Sequence, residues 1–307
     1  MTLTDSRRLI GLTAATHTPF HDDGSLHLAP IETQAAHLSA AGVATVFIGG
    51  TTGESASLTV TERLSLTERW LAVVRGSALR VVVHVGANCL ADAAALAAHA
   101  EKSGATAISA LAPSYFKPRS IDTLVDCCAH IAIAAPNTPF YYYDIPSLTG
   151  VSFPMADFLE SATARIPTLA GLKFTNPDLM AYQFALRAAG GAFDLPWGVD
   201  EHFLGALAIG ARGAVGSGFN FAAPVYRRLI AAWERGDLEA ARCEQFRGTQ
   251  LIQLLARYGY MAAAKSVMSM LGIPVGPPRL PHQPLTADQI ATLRRDLESL
   301  GFFEWIR

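Results

Sequence analysis

Lysine is scarce in this chain. Only four occur among 307 residues, at Lys102, Lys117, Lys173 and Lys265. Cysteine is as rare: Cys89, Cys127, Cys128 and Cys243 make no C-x-x-C pair, which argues against a zinc site of that spacing. Cys127 and Cys128 lie in an apolar, helix-like run and read as buried small hydrophobes in a reducing compartment. Charged residues amount to only 16% of the chain, and the formal net charge is -2. No block of like charges occurs. That balance argues against a nucleic-acid or membrane-surface partner, since both select basic patches. No apolar run reaches the ~18 residues of a membrane span. Residues 1–8 are polar and carry no apolar leader segment. The expectation is a soluble, cytoplasmic protein acting on a small molecule.

What the chain has is apolar alternation. Half of its residues are hydrophobic, and a chain of this length can bury a large core. Short apolar runs rich in β-branched and aromatic residues fall at 9–15, 44–49, 80–85, 106–111, 139–143, 169–174, 193–197 and 213–216. Between them lie alanine- and leucine-rich amphipathic stretches at 31–41, 61–74, 91–103, 121–134, 155–162, 179–189 and 201–209. Gly42, Gly104 and Gly210 follow helical runs and suit the left-handed position that ends a helix. Alternating strands and helices imply parallel strands joined by crossovers. Eight such units predict an α/β fold, a closed (β/α)8 TIM barrel over residues 1–222. After Gly218 the strand signal stops. Helical stretches at 223–235, 238–258, 260–271 and 287–300, with a proline- and glycine-rich connector at 272–284, predict a C-terminal helical extension over residues 223–307, packed on the barrel as part of the same domain.

In such a barrel the chemistry sits at the C-terminal ends of the strands, so polar residues just after each apolar run are the candidates. Lys173 alone among the lysines ends a strand, in Leu169-Ala-Gly-Leu-Lys-Phe-Thr175. Burial disfavours an ammonium ion, and the neutral amine is the form that attacks a carbonyl. The alternative is a rim lysine paired with a carboxylate. Tyr143 ends Pro139-Phe-Tyr-Tyr-Tyr143. Strand alternation sends Tyr141 and Tyr143 to one face and Tyr142 to the other. A strand-end phenol can carry a proton, or it can simply pack with its hydroxyl satisfied. Gly49-Gly-Thr-Thr-Gly-Glu54 offers backbone N–H groups and the hydroxyls of Thr51 and Thr52 to an anion. Gly198-Val-Asp-Glu201 follows the seventh run, and Ala214-Val-Gly-Ser217 ends the eighth. Asp200 and Glu201 can bind substrate hydroxyls; with His202 they could also ligate a metal, although no H-E-x-x-H occurs. For Asp200 a helix N-cap is the structural alternative. Ser217 and its glycines are open to a reading as turn chemistry.

Together these segments resemble the family of dihydrodipicolinate synthase and N-acetylneuraminate lyase. The likeness runs from Gly11-Leu-Thr-Ala-Ala-Thr-His-Thr-Pro-Phe20 to Gly272-Ile-Pro-Val-Gly-Pro-Pro-Arg-Leu-Pro281. Its markers are GGTTGE at 49–54, YDIPSLTG at 143–150 and GLKFT at 171–175. The resemblance implies a lysine Schiff base with pyruvate, no metal or other cofactor, and a homotetramer. By position it makes Lys173 the Schiff-base lysine, Tyr143 the proton-relaying phenol, and Thr51 and Thr52 the holders of the pyruvate carboxylate, with Thr51 also in the relay. It makes Tyr115, in Ala112-Pro-Ser-Tyr115, a residue lent to the neighbouring subunit's site.

Two features choose a branch of the family. Synthases that take aspartate semialdehyde carry an arginine where this chain has Leu148, and an apolar side chain cannot hold a second carboxylate. The segment Gly198-Val-Asp-Glu201 resembles that of sialate lyases, whose Asp and Glu bind the polyol, and Thr175 and Ser217 match that branch. The resemblance therefore implies cleavage of N-acetylneuraminate to pyruvate and N-acetylmannosamine. The alternatives are an aldolase or dehydratase of 2-keto-3-deoxy sugar acids, a hydratase-aldolase of aromatic aldehydes, and a non-catalytic small-acid binder. Asp144, where the family usually carries Asn or His, is a departure beside Tyr143.

Overall fold

Among the described residues, seven strands pair in parallel: β1 (Gly11–Ala15), β2 (Thr45–Ile48), β3 (Arg80–His84), β4 (Ala107–Leu111), β5 (Phe140–Asp144), β6 (Leu169–Phe174) and β7 (Gly213–Gly216). Their order is β6-β5-β4-β3-β2-β1-β7. This computed structural model describes residues 8–307; of the polar segment at the start, residues 1–7 lie outside the described residues. An eighth regular strand was expected at 193–197, and here the structure corrects the sequence. That segment joins the two sheet edges only through the isolated bridges Gly171↔Asp194, Phe174↔Trp197 and Trp197↔Ala214. Pro196 has no N–H to give to a ladder, so pairing is intermittent. The barrel still closes: Phe174 N donates to Pro196 O (3.0 Å), and Val215 N donates to Trp197 O (2.8 Å).

The crossovers are α1 (Ile31–Ala40), α2 (Val60–Val73), α3 (Leu90–Ser103), α4 (Ile121–Ala132), the single turn α5 (Pro146–Thr149), α6 (Met155–Ala162), α7 (Leu179–Arg187) and α8 (Phe203–Ile209). α2 opens with a capping box in which Thr59 and Glu62 satisfy each other's backbone N–H groups. Gly104 and Gly210 end α3 and α8 in the left-handed region, as their sequence positions suggest. The extension consists of α9 (Phe219–Glu234), α10 (Leu238–Arg257), α11 (Tyr260–Met270), α12 (Ala287–Leu300) and the short α13 (Phe302–Trp305). α9 starts four residues before the expected 223, with a kink at Ala222 just ahead of Pro224.

Two apolar layers hold this together. Inside the barrel, Ala15, Phe47, Val82, Ala107, Tyr141, Tyr143, Ala170 and Val215 form one cluster. Outside it, Val46, Ile48, Val81, Val83, Tyr142, Leu172 and Phe174 pack against the helices. The split follows the two-residue period of a strand, and both faces of a parallel sheet are covered. Leu293, Leu297 and Phe302 of the extension belong to the same outer cluster, so the C-terminal helices share the barrel's core. Of the adjacent cysteines, Cys128 is buried and Cys127 half-buried.

β6 departs from simple alternation. It pairs with β5 as Phe140↔Leu169 and then Tyr141↔Gly171, a slip of one residue that leaves Tyr143 opposite Lys173. Below the slip Leu169 faces outward and Ala170 inward; above it Leu172 and Phe174 face outward. Gly171 sits at the slip, where any Cβ would overlap the carbonyl oxygen of Asp194. We expect Gly171→Ala to displace the 193–197 segment and destabilise the barrel by about 2–4 kcal/mol. Urea unfolding checks this; a midpoint equal to that of the parent would show that the close approach is dispensable.

Candidate active site

A cavity of about 560 Å³ opens at the C-terminal ends of the strands and is lined by Thr51, Thr52, Tyr143, Lys173, Thr175, Gly198, Asp200, Glu201 and Ser217 among others. The chain thus gathers nine of the ten residues singled out from sequence. The exception is Tyr115. It is 78% exposed, its ring packs edge-on against the exposed Phe116 at 4.9 Å, and it does not line this cavity.

Lys173 is buried. Its Nζ lies 4.1 Å from the centroid of the Tyr143 ring and 4.9 Å from that of Phe47. Both rings point inward, Tyr143 from the adjacent β5 and Phe47 from β2 across the barrel, so the amine sits in an aromatic pocket at the barrel mouth. Tyr143 OH and Thr51 Oγ1 share a hydrogen bond of 3.1 Å. The phenol is held further by edge contacts with Phe47 and His84 at 5.7 and 5.9 Å between centroids. Lysine amine, phenol and threonine hydroxyl are therefore in series, while Tyr142 points away into the helix layer, as alternation requires.

The 49–54 loop turns tightly enough to place both threonines in the cavity. A Cβ on Gly53 would lie 3.0 Å from Gly49 N and 3.2 Å from Thr16 O, so a larger residue would press on the turn's own backbone. The start of the loop is tied to β3. His84 Nδ1 donates to Gly49 O at 3.0 Å, and Arg63 donates to the carbonyls of His84 (2.7 Å) and Gly86 (2.9 Å). Burial first, then the Arg63 and Lys173 charges, push the His84 pKa well below its ordinary value, so the ring is a neutral donor rather than an acid. Sequence reasoning missed His84, Arg63 and Glu54. Only Glu54 stood within a recognisable motif.

The far wall is polar. Asp200 is buried and accepts from Gly218 N at 2.7 Å, with Gly216 and Gly218 packed so closely on its carboxyl that a Cβ on either would collide. It therefore does not cap the short helical turn that it begins, Asp200–His202; it accepts instead from the residue that precedes α9. Burial raises its pKa to about 7, against the opposing pull of the Gly218 N–H, so Asp200 can donate as well as accept near neutrality. Ser217 Oγ shares a 2.7 Å hydrogen bond with Tyr260 OH. Tyr260 and Met261, from the start of α11, and Ile252, from α10, complete the wall. None of these three carries a local sequence signal, because α10 and α11 reach the barrel mouth only through tertiary packing. Leu148 is 62% exposed at the rim and lines the same cavity, as do Ser147 and His202. Among the described residues no three His, Cys, Asp or Glu side chains are grouped to hold a metal ion, so Asp200, Glu201 and His202 form no such cluster.

Asp144 ends β5 one residue beyond Tyr143 and is buried, with Oδ2 unpartnered. Alternation turns it away from Lys173, and it does not line the cavity. Burial raises its pKa from 3.8 to about 7. Between those values the folded chain holds a proton that the unfolded chain has lost, so this group makes stability fall as pH rises from about 4 to about 7. Asp144→Asn removes that dependence. Relative to the parent, we expect the variant to gain about 2–3 kcal/mol between pH 5 and pH 8. Parallel urea titrations at the two pH values measure the difference, and a constant offset would show that Asp144 is already ionised when folded.

Comparison with known proteins agrees with this geometry. Residues 8–300 match the dihydrodipicolinate synthetase family. The chain is 43% identical to N-acetylneuraminate lyase A of Xenopus laevis, over 90% of this chain and 91% of that protein. It is 39% identical to N-acetylneuraminate lyase of Gallus gallus, over 97% and 98%. Among solved structures, Proteus mirabilis N-acetylneuraminate lyase superposes with a TM-score of 0.93 at 42% identity, covering 96% of this chain and 99% of that one. A dihydrodipicolinate synthase from Cyanidioschyzon merolae gives 0.88 at 30% identity, over 95% and 98%. The (β/α)8 barrel, the cavity at its strand ends and the match over nearly the whole length lead to one assignment: the chain belongs to the dihydrodipicolinate synthetase family.

Proposed function

We propose that this chain is an N-acetylneuraminate lyase that works through a Schiff base on Lys173. It cleaves the sugar acid reversibly to pyruvate and N-acetylmannosamine. The observation that carries the mechanism is the series Lys173–Tyr143–Thr51, with the amine 4.1 Å from the phenol ring and the phenol 3.1 Å from the threonine hydroxyl.

In this reading Lys173 Nζ attacks the C2 carbonyl of the open-chain sugar acid. Loss of water leaves a protonated ketimine. Tyr143 takes the C4 hydroxyl proton as the C3–C4 bond breaks, and the bonding pair moves through C3 to the iminium nitrogen, giving an enamine and the aldehyde N-acetylmannosamine. The enamine then regains a proton at C3, and water hydrolyses the ketimine to free pyruvate and the lysine. Covalent attachment divides one difficult step into several easier ones. Thr51 and Thr52 hold the substrate carboxylate, and Thr51 keeps the phenol aimed. Neutral His84 packs edge-on against that phenol without competing for the proton.

Selectivity rests on the opposite wall. Asp200, Glu201, Thr175, Gly198 and Ser217 face the polyol chain, and Leu148 offers nothing to a second carboxylate. A cavity of about 560 Å³ falls in the range that accepts a small ligand, roughly 300–1,000 Å³. We further propose a homotetramer in which Tyr115 reaches the site of a neighbouring subunit; the exposed pair Tyr115 and Phe116, 78% and 85% accessible, supports that reading.

Two experiments test these assignments. Borohydride reduction in the presence of pyruvate should add one reduced pyruvate mass to the parent protein and none to Lys173→Ala, with turnover of N-acetylneuraminate falling at least about 10³-fold; an adduct persisting on the variant would refute the assignment of the lysine. Light scattering should give the mass of four chains. Tyr115→Ala, mixed with excess Lys173→Ala under conditions of subunit exchange, should recover part of its activity. A monomeric parent with full activity would remove Tyr115 from the site.

A further inference from the structure

The motif Gly276-Pro-Pro-Arg-Leu-Pro281 and the buried Lys265 have no part in the chemistry above, yet they meet at the catalytic loop. Glu54 closes the 49–54 loop in the left-handed region, at φ 55°, an uncommon conformation for a residue with a Cβ. Its Oε1 lies 2.7 Å from Lys265 Nζ, and both side chains are about 1% exposed. Its Oε2 accepts from Arg279 N at 2.7 Å. Lys265 also donates to Pro277 O at 2.9 Å. The Arg279 guanidinium donates to Gly24 O and Ser57 O, each at 2.8 Å, and pairs with Glu62 on α2. Lys265 and Arg279 lie over the Phe20 ring at 4.3 and 4.2 Å. α11, which carries Lys265, also presents Tyr260 and Met261 to the cavity.

We propose that Glu54 and Lys265 are positioning residues for the 2-oxo acid carboxylate: the C-terminal extension clamps the end of the 49–54 loop through this pair and so sets where Thr51 and Thr52 stand. The inference rests on the reading of those threonines as the carboxylate cradle. Arg279 N of the extension donates directly to the carboxylate that ends the loop, and the buried Glu54–Lys265 charge pair joins the two parts of the chain. Removing one partner strands the other charge in a dry site, whereas removing both leaves a neutral pair of similar volume. The pair, not either charge alone, is therefore the unit to test.

The experiment compares the parent with Glu54→Gln/Lys265→Met and with Glu54→Asp, which keeps both charges but shortens the tether by one methylene. In the synthetic direction, half-saturation by pyruvate should rise at least tenfold in both variants. Half-saturation by N-acetylmannosamine should change less than twofold, and the borohydride-trapped adduct on Lys173 should reach parent levels at saturating pyruvate. A purely structural role would instead lower the amount of active enzyme and leave both half-saturation values alone. Thr52→Val is the control for the cradle. If it leaves pyruvate half-saturation unchanged, the cradle reading fails; if it raises that value while both variants keep the parent's, the clamp fails alone. Failure of both variants to fold would make the pair a strut and overturn the proposal.

Discussion

The site depends on one register. Tyr143 and Lys173 stand opposite each other on β5 and β6 because the ladder slips by one residue between Phe140↔Leu169 and Tyr141↔Gly171. Side chains alternate with a period of two, so unbroken alternation from the outward Leu169 would also turn Lys173 outward, among the helices. The slip reverses that phase. It requires a residue without a Cβ at 171, where the chain passes against the Asp194 carbonyl. A backbone irregularity beside a functional residue is the usual way for a sheet to re-aim a side chain.

Around that register the barrel keeps several titratable groups in states that they would not hold in water. His84 is neutral because it is buried beside Arg63 and Lys173. Asp144 and Asp200 keep their protons up to about pH 7 because burial disfavours the carboxylate. Lys265, pulled down to about 8 by burial, is held up by Glu54. These groups lie on different elements, and all of them adjoin the barrel mouth or the loop that enters it. Perturbed ionisation gathers where chemistry is done, and these four groups lie at the cavity's end of the barrel, while Tyr141 and Asp194 are perturbed by burial at the other end.

In the proposed mechanism catalysis and selectivity are divided between opposite walls. The first wall, with Lys173, Tyr143 and the threonine loop, comes from the ends of β5 and β6 and the turn after β2, and carries the covalent step in the proposed mechanism. The second, with Asp200, Glu201, Ser217 and Tyr260, joins the segment after Trp197, the end of β7 and α11. On that reading, change on the second wall alters the aldehyde without touching the covalent step. The fold is shared with a dihydrodipicolinate synthase at 30% identity, so one barrel accommodates both proteins.

The amino-acid pattern by itself determined the alternation of strands and helices, because hydrophobic periodicity is written locally and needs no partner to be read. It also pointed to Lys173, Tyr143 and the Thr51–Thr52 turn, because polar residues directly after apolar runs must lie at strand ends. Four things belonged to the tertiary structure. The 193–197 segment closes the barrel without a regular ladder, because Pro196 lacks an N–H and only neighbouring strands show where pairing resumes. The slip at Gly171 exists only between two strands. Tyr260 and Met261 reach the cavity through the packing of α11, and nothing near them in the chain indicates that destination. Lys265, which looked like one more helical lysine, is paired with Glu54 across most of the sequence, and a contact of that span is decided by the closed fold alone.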